Sequence, residues 1–276
     1  MTNYKIDGDK IIITDGIDIK AALFSGQVFR VKTLFENKYF LVSTSHAAIV
    51  EDGETITITC DDVEYFVNYF DLNSDYSKIL DEVTDEYALS AIGFSPKLKI
   101  LRQDKFETVI DFIMSANNNI KRFSKTLELI AENYGEKLQF KGIEYSAFPT
   151  PTQLTKATIE ELKALGTGYR DKYIFETARQ IDAGFDLQSV CALDTMAANK
   201  KLCELMGVGE KVADCILLFA FQKYDAFPVD TWIEKLYHEN YGGESVNRKE
   251  IRKFFIEKFG QYAGIIQQYL FYYKRS

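Results

Sequence analysis

The hydrophobic period of this chain changes near Val63, and no other feature constrains its fold as strongly. Thr55 to Cys60 alternate strictly between polar and apolar side chains, as a strand with one dry face does. Upstream, "KIIITD" is a short apolar run and "FSGQVFRVKT" turns at Gly26 and then alternates. "YFLVSTSHAAIVEDGETITITC" reads as a hairpin turning at Glu51, Asp52 and Gly53. From "DDVEYFVNYFDL" onward the spacing becomes helical, first in short pieces such as "SKILDEV". Beyond "SPKLKILRQD" nearly all of it is helical. Strands gathered first and helices afterwards predict an α+β chain, not alternating βα units. The expectation is an antiparallel β-sheet region over 1–100 and an all-α helical region over 101–276. The helical part divides into subdomains at roughly 124–206 and at 101–123 plus 207–276.

Composition narrows the classes. No run of about 18 apolar residues exists, which speaks against a membrane span. The start, "MTNYKIDGDK", carries neither a basic stretch nor an apolar signal core. Cys60, Cys191, Cys203 and Cys215 are scattered, with no CxxC and no disulfide ladder, which fits a reducing cytoplasm. With His46 and His238 as the only histidines, no zinc site is expected. The net charge of −8 argues at first against a nucleic-acid partner. Its distribution softens that: residues 1–100 hold 9 Lys and Arg against 17 Asp and Glu, and the remainder holds 24 of each.

The stretch "LCELMGVGEKVADC" (202–215) admits several readings. A phosphate loop needs GxxxxGK[ST] after a strand, and a dinucleotide fingerprint needs GxGxxG after a strand; neither the spacing nor the strand is present. A helix, a tight Gly-Val-Gly turn and a second helix fit, either as a plain αα-hairpin or as a helix-hairpin-helix. Glycines let a backbone approach closely, and the free amides opening the second helix can hold a phosphate oxygen without a basic side chain. Lys211 falls in that first turn. The helix dipole disfavours a cation there and favours the neutral amine, the form that attacks an electrophile; otherwise it is one more surface lysine. Asp230, in "FPVDTW", precedes a helical pattern and is placed to be an N-cap. A helix over 210–222 carries the chain about 18–20 Å away, and the residues leading to Asp230 can span about 25 Å. Return to Lys211 is feasible, and a carboxylate beside the amine could take its proton or stabilise a cationic transition state.

"GVGEKVADCILLFAFQKYDAFPVDTW" resembles the helix-hairpin-helix, Gly/Pro-rich loop and aspartate signature of DNA base-excision glycosylases, and its lysine resembles that of the glycosylase/lyase type. "LFSGQVFR" (23–30), "LRQDKFETVIDFIMSANNNIKR" (101–122), "LGTGYRDKY" (165–173) and "GQYAGIIQQYLF" (260–271) resemble, in family order across nearly the whole chain, the 8-oxoguanine DNA glycosylases of the eukaryotic-like type.

The resemblance implies base flipping, attack of Lys211 on the sugar C1′, a Schiff base, then β-elimination, with Asp230 orienting and activating the lysine. It implies that the carbonyl of Gly26 accepts the N7 hydrogen that distinguishes 8-oxoguanine from guanine; the ordinary role of Gly26 is a turn. It implies that Phe271 and Cys215 sandwich the base and Gln267 bonds its Watson–Crick edge; singly, the first two are ordinary core residues and the third a solvated one. Asn117, Arg122 and Arg170 would contact the orphaned cytosine and Tyr169 would wedge into the gap. Their plainer roles are a helix stop for the asparagines and a rim charge for Arg170. Gly207, Gly209 and Val212 would offer amides to phosphate, with a structural cation at the hairpin. The implied partner is duplex DNA with 8-oxoguanine opposite cytosine, met by a monomer, with no cofactor and no membrane. Trp232 and Lys274 depart from the pattern, standing where eukaryotic members carry histidine and aspartate. The clustered cysteines of the iron–sulfur glycosylases are absent.

Overall fold

The computed structural model describes residues 2–276. Strands β1 (Asn3–Asp7), β2 (Lys10–Asp15), β3 (Val31–Phe35), β4 (Lys38–Ser43), β5 (His46–Asp52) and β6 (Ile56–Cys60) form one antiparallel sheet in the order β1-β2-β6-β5-β4-β3. The stretch read as a single hairpin holds two turns. The first joins Ser43 to its partner His46 and bends at Thr44, a β-branched residue at φ 54°. Such a residue is a poor choice for a left-handed turn position. Here a tertiary contact holds it, because Glu107 Oε2 accepts the Thr44 N–H at 2.7 Å. A short helix, α1 (Ile19–Phe24), capped by the Asp18 carboxylate, lies between β2 and β3. Gly26 therefore follows a helix and does not turn a hairpin.

The chain continues through α2 (Val63–Tyr69), α3 (Ser77–Asp81), α4 (Glu86–Phe94), α5 (Lys105–Ser115) and α6 (Ile120–Tyr134). Next comes a feature the helical reading missed, the hairpin β7 (Lys137–Phe140) and β8 (Ile143–Ser146). Lys141 and Gly142 both take positive φ at its turn, 48° and 79°. Its apolar side chains, Leu138, Phe140, Ile143 and Tyr145, close over Phe40, Val42 and Ala47 of the large sheet. The rest is helical: α7 (Pro151–Leu154), α8 (Ile159–Ala164), α9 (Asp171–Asp182), α10 (Thr195–Leu202), α11 (Glu210–Ala220), α12 (Thr231–Tyr241), α13 (Arg248–Phe259) and α14 (Ala263–Arg275). Among the described residues no helix is long and apolar enough to cross a membrane.

Two cores result. Ile11, Ile13, Leu41, Val50 and Ile58 of the sheet pack against Leu23 of α1 and Phe66 and Tyr69 of α2. The larger core joins the helices, and Tyr76, Ala88, Ala91, Leu98 and Ile100 belong to it. Packing is thus continuous across residue 100. Arg30 is the seam: its buried guanidinium donates to Glu107 on α5 (3.2 Å), Glu128 on α6 (3.0 Å) and the Ser146 carbonyl on β8 (2.6 Å). With its charge paired and its N–H groups bonded to three elements, the burial of this arginine is compensated.

Candidate active site at the helix hairpin

The turn between α10 and α11 is built by two glycines with different reasons. Gly207 sits at φ +83°, and a Cβ there would lie 2.6 Å from Cβ of Tyr173 on α9, so the fold itself demands glycine. Residues of α9 clamp the same turn: Thr177 Oγ1 donates to the Met206 carbonyl (2.6 Å), and Gln180 bonds both Glu204 O and Met206 N. Gly209 is the N-cap of α11 in an extended conformation, and a Cβ there would meet nothing within 4 Å. No side chain caps α11. The opening amides of that helix, up to Val212, are left for another acceptor, and the bare Gly209 leaves room for one to approach. Below the turn, buried Asp214 accepts from Arg252 of α13 (2.6 and 2.9 Å) and from Asn199 of α10 (2.7 Å), which fixes the rotation of α11.

That rotation places Lys211 and Cys215, one turn apart, on the same face. The Lys211 Nζ lies 5.7 Å from the centroid of the Phe112 ring. Cys215 is buried, and burial pushes its thiol up to about 11 against the opposing pull of Lys211, so it remains a thiol at neutral pH. Asp230 caps α12: its Oδ1 accepts the N–H groups of Trp232 (3.0 Å) and Ile233 (2.9 Å). Its second oxygen makes no hydrogen bond among the described residues.

One cavity of about 370 Å³ joins Lys211, Asp230, Gly26, Cys215, Gln267 and Phe271; Val212 and Asn117 also line it. That volume suits a small planar ligand. A larger groove of about 800 Å³, between α4 and α12–α13, contains none of these residues. Gly26 takes φ +88°, and a Cβ on it would lie 3.2 Å from the Phe271 ring. Gln267 is not solvated. It is buried, its Nε2 donates to the Pro228 carbonyl (3.2 Å), and its Oε1 is buried with no partner. A buried acceptor without a donor costs stability unless a ligand supplies one.

Beside the cavity, the asparagines of "SANNN" do stop α5, each in a different way. Asn117 is exposed at φ 49°, Asn118 donates back to Met114 O, and Asn119 caps α6. Arg170 is not a rim charge. It is buried, and its guanidinium holds the carbonyls of Ala116, Asn117 and Thr167. Tyr169 is 56% exposed, with the Arg170 guanidinium 4.3 Å from its ring centroid. Arg122 is exposed in the first turn of α6. Trp232 lines the cavity and is partly exposed, whereas Lys274 turns away to Glu239 (2.7 Å) and Asn240 (2.9 Å). The sequence reading passed over Arg275, which does line the cavity, and Phe112 beneath the lysine. Arg275 had a legible signal, since 267, 271 and 275 form one stripe at helical spacing.

The family model for the HhH-GPD superfamily base excision DNA repair protein matches residues 110–261. The chain belongs to the HhH-GPD superfamily. Among curated HhH-GPD relatives, the "Probable N-glycosylase/DNA lyase" of Methanothermobacter thermautotrophicus is 33% identical, covering 77% of this chain and 74% of that protein. The N-glycosylase/DNA lyase of Saccharomyces cerevisiae is 31% identical over 75% of this chain and 65% of its own length. Of solved structures, the 8-oxoguanine glycosylase/lyase of Clostridium acetobutylicum, bound to double-stranded DNA with cytosine opposite 8-oxoguanine, superposes with a TM-score of 0.93 at 37% identity. It covers 100% of this chain and 97% of that one.

Proposed function

We propose that this protein is a bifunctional DNA glycosylase/AP lyase that excises 8-oxoguanine from duplex DNA, where the lesion stands opposite cytosine. The observation that carries the reading is the meeting of Lys211 and Asp230, nineteen residues apart, in one cavity with Gly26, Cys215, Gln267 and Phe271. The similarity to the Clostridium enzyme and to curated N-glycosylase/DNA lyases supports it.

In this reading the damaged nucleotide leaves the stack and enters the cavity. Its base lies between Phe271 and Cys215, with N7–H donated to the Gly26 carbonyl and the Watson–Crick edge donated to the unpartnered Gln267 Oε1. The unprotonated Lys211 amine attacks C1′. The N-glycosidic bond breaks, and the base departs with its electron pair. Asp230 stabilises the positive charge that develops on the sugar and takes the amine proton, while its bonds to α12 hold it in place. The nitrogen lone pair then breaks the C1′–O4′ bond, O4′ takes up a proton, and the ring-opened protonated Schiff base remains; removal of a C2′ proton expels the 3′ phosphate. Phosphate backbone is held at the amides around Gly207, Gly209 and Val212, with a structural cation at the turn as a further part of the reading. Asn117 and Arg122 meet the orphaned cytosine, Tyr169 fills the gap, and Arg170 reaches the cytosine with the donor capacity it keeps beyond the loop carbonyls. We place the protein in the cytoplasm, on its four free cysteines.

Borohydride trapping on a labelled duplex with 8-oxoguanine opposite cytosine tests this. Wild type is expected to give a covalent band and Lys211→Gln none, with lesion binding retained. Base release without a trapped band would shift the reading to an aspartate-only glycosylase, such as those acting on alkylated bases. Neither release nor band would leave a DNA-binding hairpin alone, a reading that gives the cavity no purpose.

A further inference from the structure

Arg275 is the one cation on the cavity wall, apart from Lys211 and Arg248, and it is held in an unusual way. Its Nη2 donates to the Phe24 carbonyl at 2.8 Å, and its guanidinium carbon lies 5.2 Å from the centroid of the Phe271 ring. Two supports thus fix the plane of the guanidinium. Nη1, by contrast, is buried and has no partner among the described residues. It lies directly against Gly26: a Cβ on that glycine would fall 2.8 Å from it. Nothing in the fold uses this donor. Arg248, the other arginine on the wall, is spent on Glu234 (2.8 and 3.1 Å).

On the reading above, the Gly26 carbonyl accepts N7–H of the flipped base. A donor beside that acceptor complements a base edge on which a carbonyl stands next to an N–H. In 8-oxoguanine that carbonyl is C8=O8, the oxygen on the sugar side of N7. On the same reading Asp230 faces the sugar, and it lines this cavity together with Arg275; burial lowers the arginine's pKa, against smaller opposing pulls from Tyr272 and Asp230. We propose that Arg275 is a recognition residue whose Nη1 donates a hydrogen bond to O8 of 8-oxoguanine. Gly26 and Arg275 then read the two halves of the lesion, the added hydrogen and the added oxygen. Guanine offers neither: it sets its N7 lone pair against the Gly26 carbonyl and leaves Nη1 without O8.

The inference rests on the proposed substrate, so the test separates the two. In a Lys211→Gln background, Kd is measured by fluorescence anisotropy with and without Arg275→Met. The duplexes carry 8-oxoguanine, a tetrahydrofuran abasic analogue or guanine, each opposite cytosine. The expected result is that Arg275→Met weakens lesion binding about tenfold or more, the scale of a charge-assisted hydrogen bond. Binding of the tetrahydrofuran duplex, which has no base, should not change. Equal weakening on both duplexes would make Arg275 a structural or phosphate residue, and no weakening would remove it from recognition; either overturns the inference while leaving the substrate intact. A parent that does not prefer the lesion to guanine would overturn the substrate reading, and this inference with it. A crystal structure of the lesion complex reads the contact itself, and Nη1 on O6 or on phosphate in place of O8 would overturn the assignment.

Discussion

Gly26 carries a fold requirement and, in the proposed reading, a chemical one. At φ +88° a side chain is strained, and a Cβ would press on Arg275 and Phe271. The ring and the guanidinium held against it would both have to shift. Gly26→Ala is therefore expected to cost about 1–3 kcal/mol in stability from the backbone alone. Single-turnover excision of 8-oxoguanine should fall more than tenfold, because the carbonyl and the ring both move. Thermal melting and a quench-flow time course would check the two effects. An unchanged excision rate would mean that Gly26 is not part of the wall facing the base. Lys211 and Asp230 stood out in the sequence because they sit in local motifs, one after a Gly-Val-Gly turn and one ahead of a helix, and both line one cavity. What could not be read was partnership. Arg170 looked like a rim charge because no local pattern announces that three carbonyls lie around it.

Among the elements, α5 carries a burden that its sequence only half reveals. Phe106, Val109, Ile110 and Ile113 repeat at helical spacing and are buried as that spacing predicts. Glu107 and Asp111, one turn apart, are buried as well. Glu107 bonds Arg30 and the Thr44 amide. Asp111 has no such cationic partner of its own, and its Oδ1 makes no hydrogen bond. Burial, together with the charge of Glu107, holds the Asp111 carboxyl well above the usual carboxylate range. The native protein therefore binds a proton there that the unfolded chain releases above about pH 4. The stability contributed by that proton is complete below this pH and declines as pH rises toward the folded-state value. Asp111→Asn is neutral at every pH. It should be more stable than wild type at pH 7 by at least about 1 kcal/mol, roughly 2–4 °C in Tm, with the gap closing toward pH 4. A variant that melts lower at pH 7 would show the carboxylate to be charged and useful. The elements invisible in sequence were those held by distant partners. The Thr44 turn depends on Glu107, and β7–β8 depends on the sheet face it covers.

For the molecule as a whole, the order of strands and then helices was plain from the change of period, but the join was not. The onset of continuous helical spacing after "SPKLKILRQD" suggested a division at residue 100, whereas apolar side chains on both sides of it share one core. The join is also where the charges meet, since Arg30 from the sheet side is neutralised by Glu107 and Glu128 from the helices. A fragment of residues 2–100 is expected not to fold alone. It would lack the Thr44 turn support and leave a buried guanidinium without a carboxylate. Circular dichroism and amide exchange on that fragment would show disorder, and a cooperative melt would refute the claim.

The Arg30 seam has a consequence in time. A ribosome releases the sheet strands first, yet the carboxylates that let Arg30 enter the interior, and the acceptor that bends Thr44, are synthesised some sixty to a hundred residues later. The nascent sheet must therefore wait, with Arg30 unpaired and the Thr44 turn unsupported, until α5 and α6 emerge. Its time of greatest exposure to misassembly is the interval of translation between those two points.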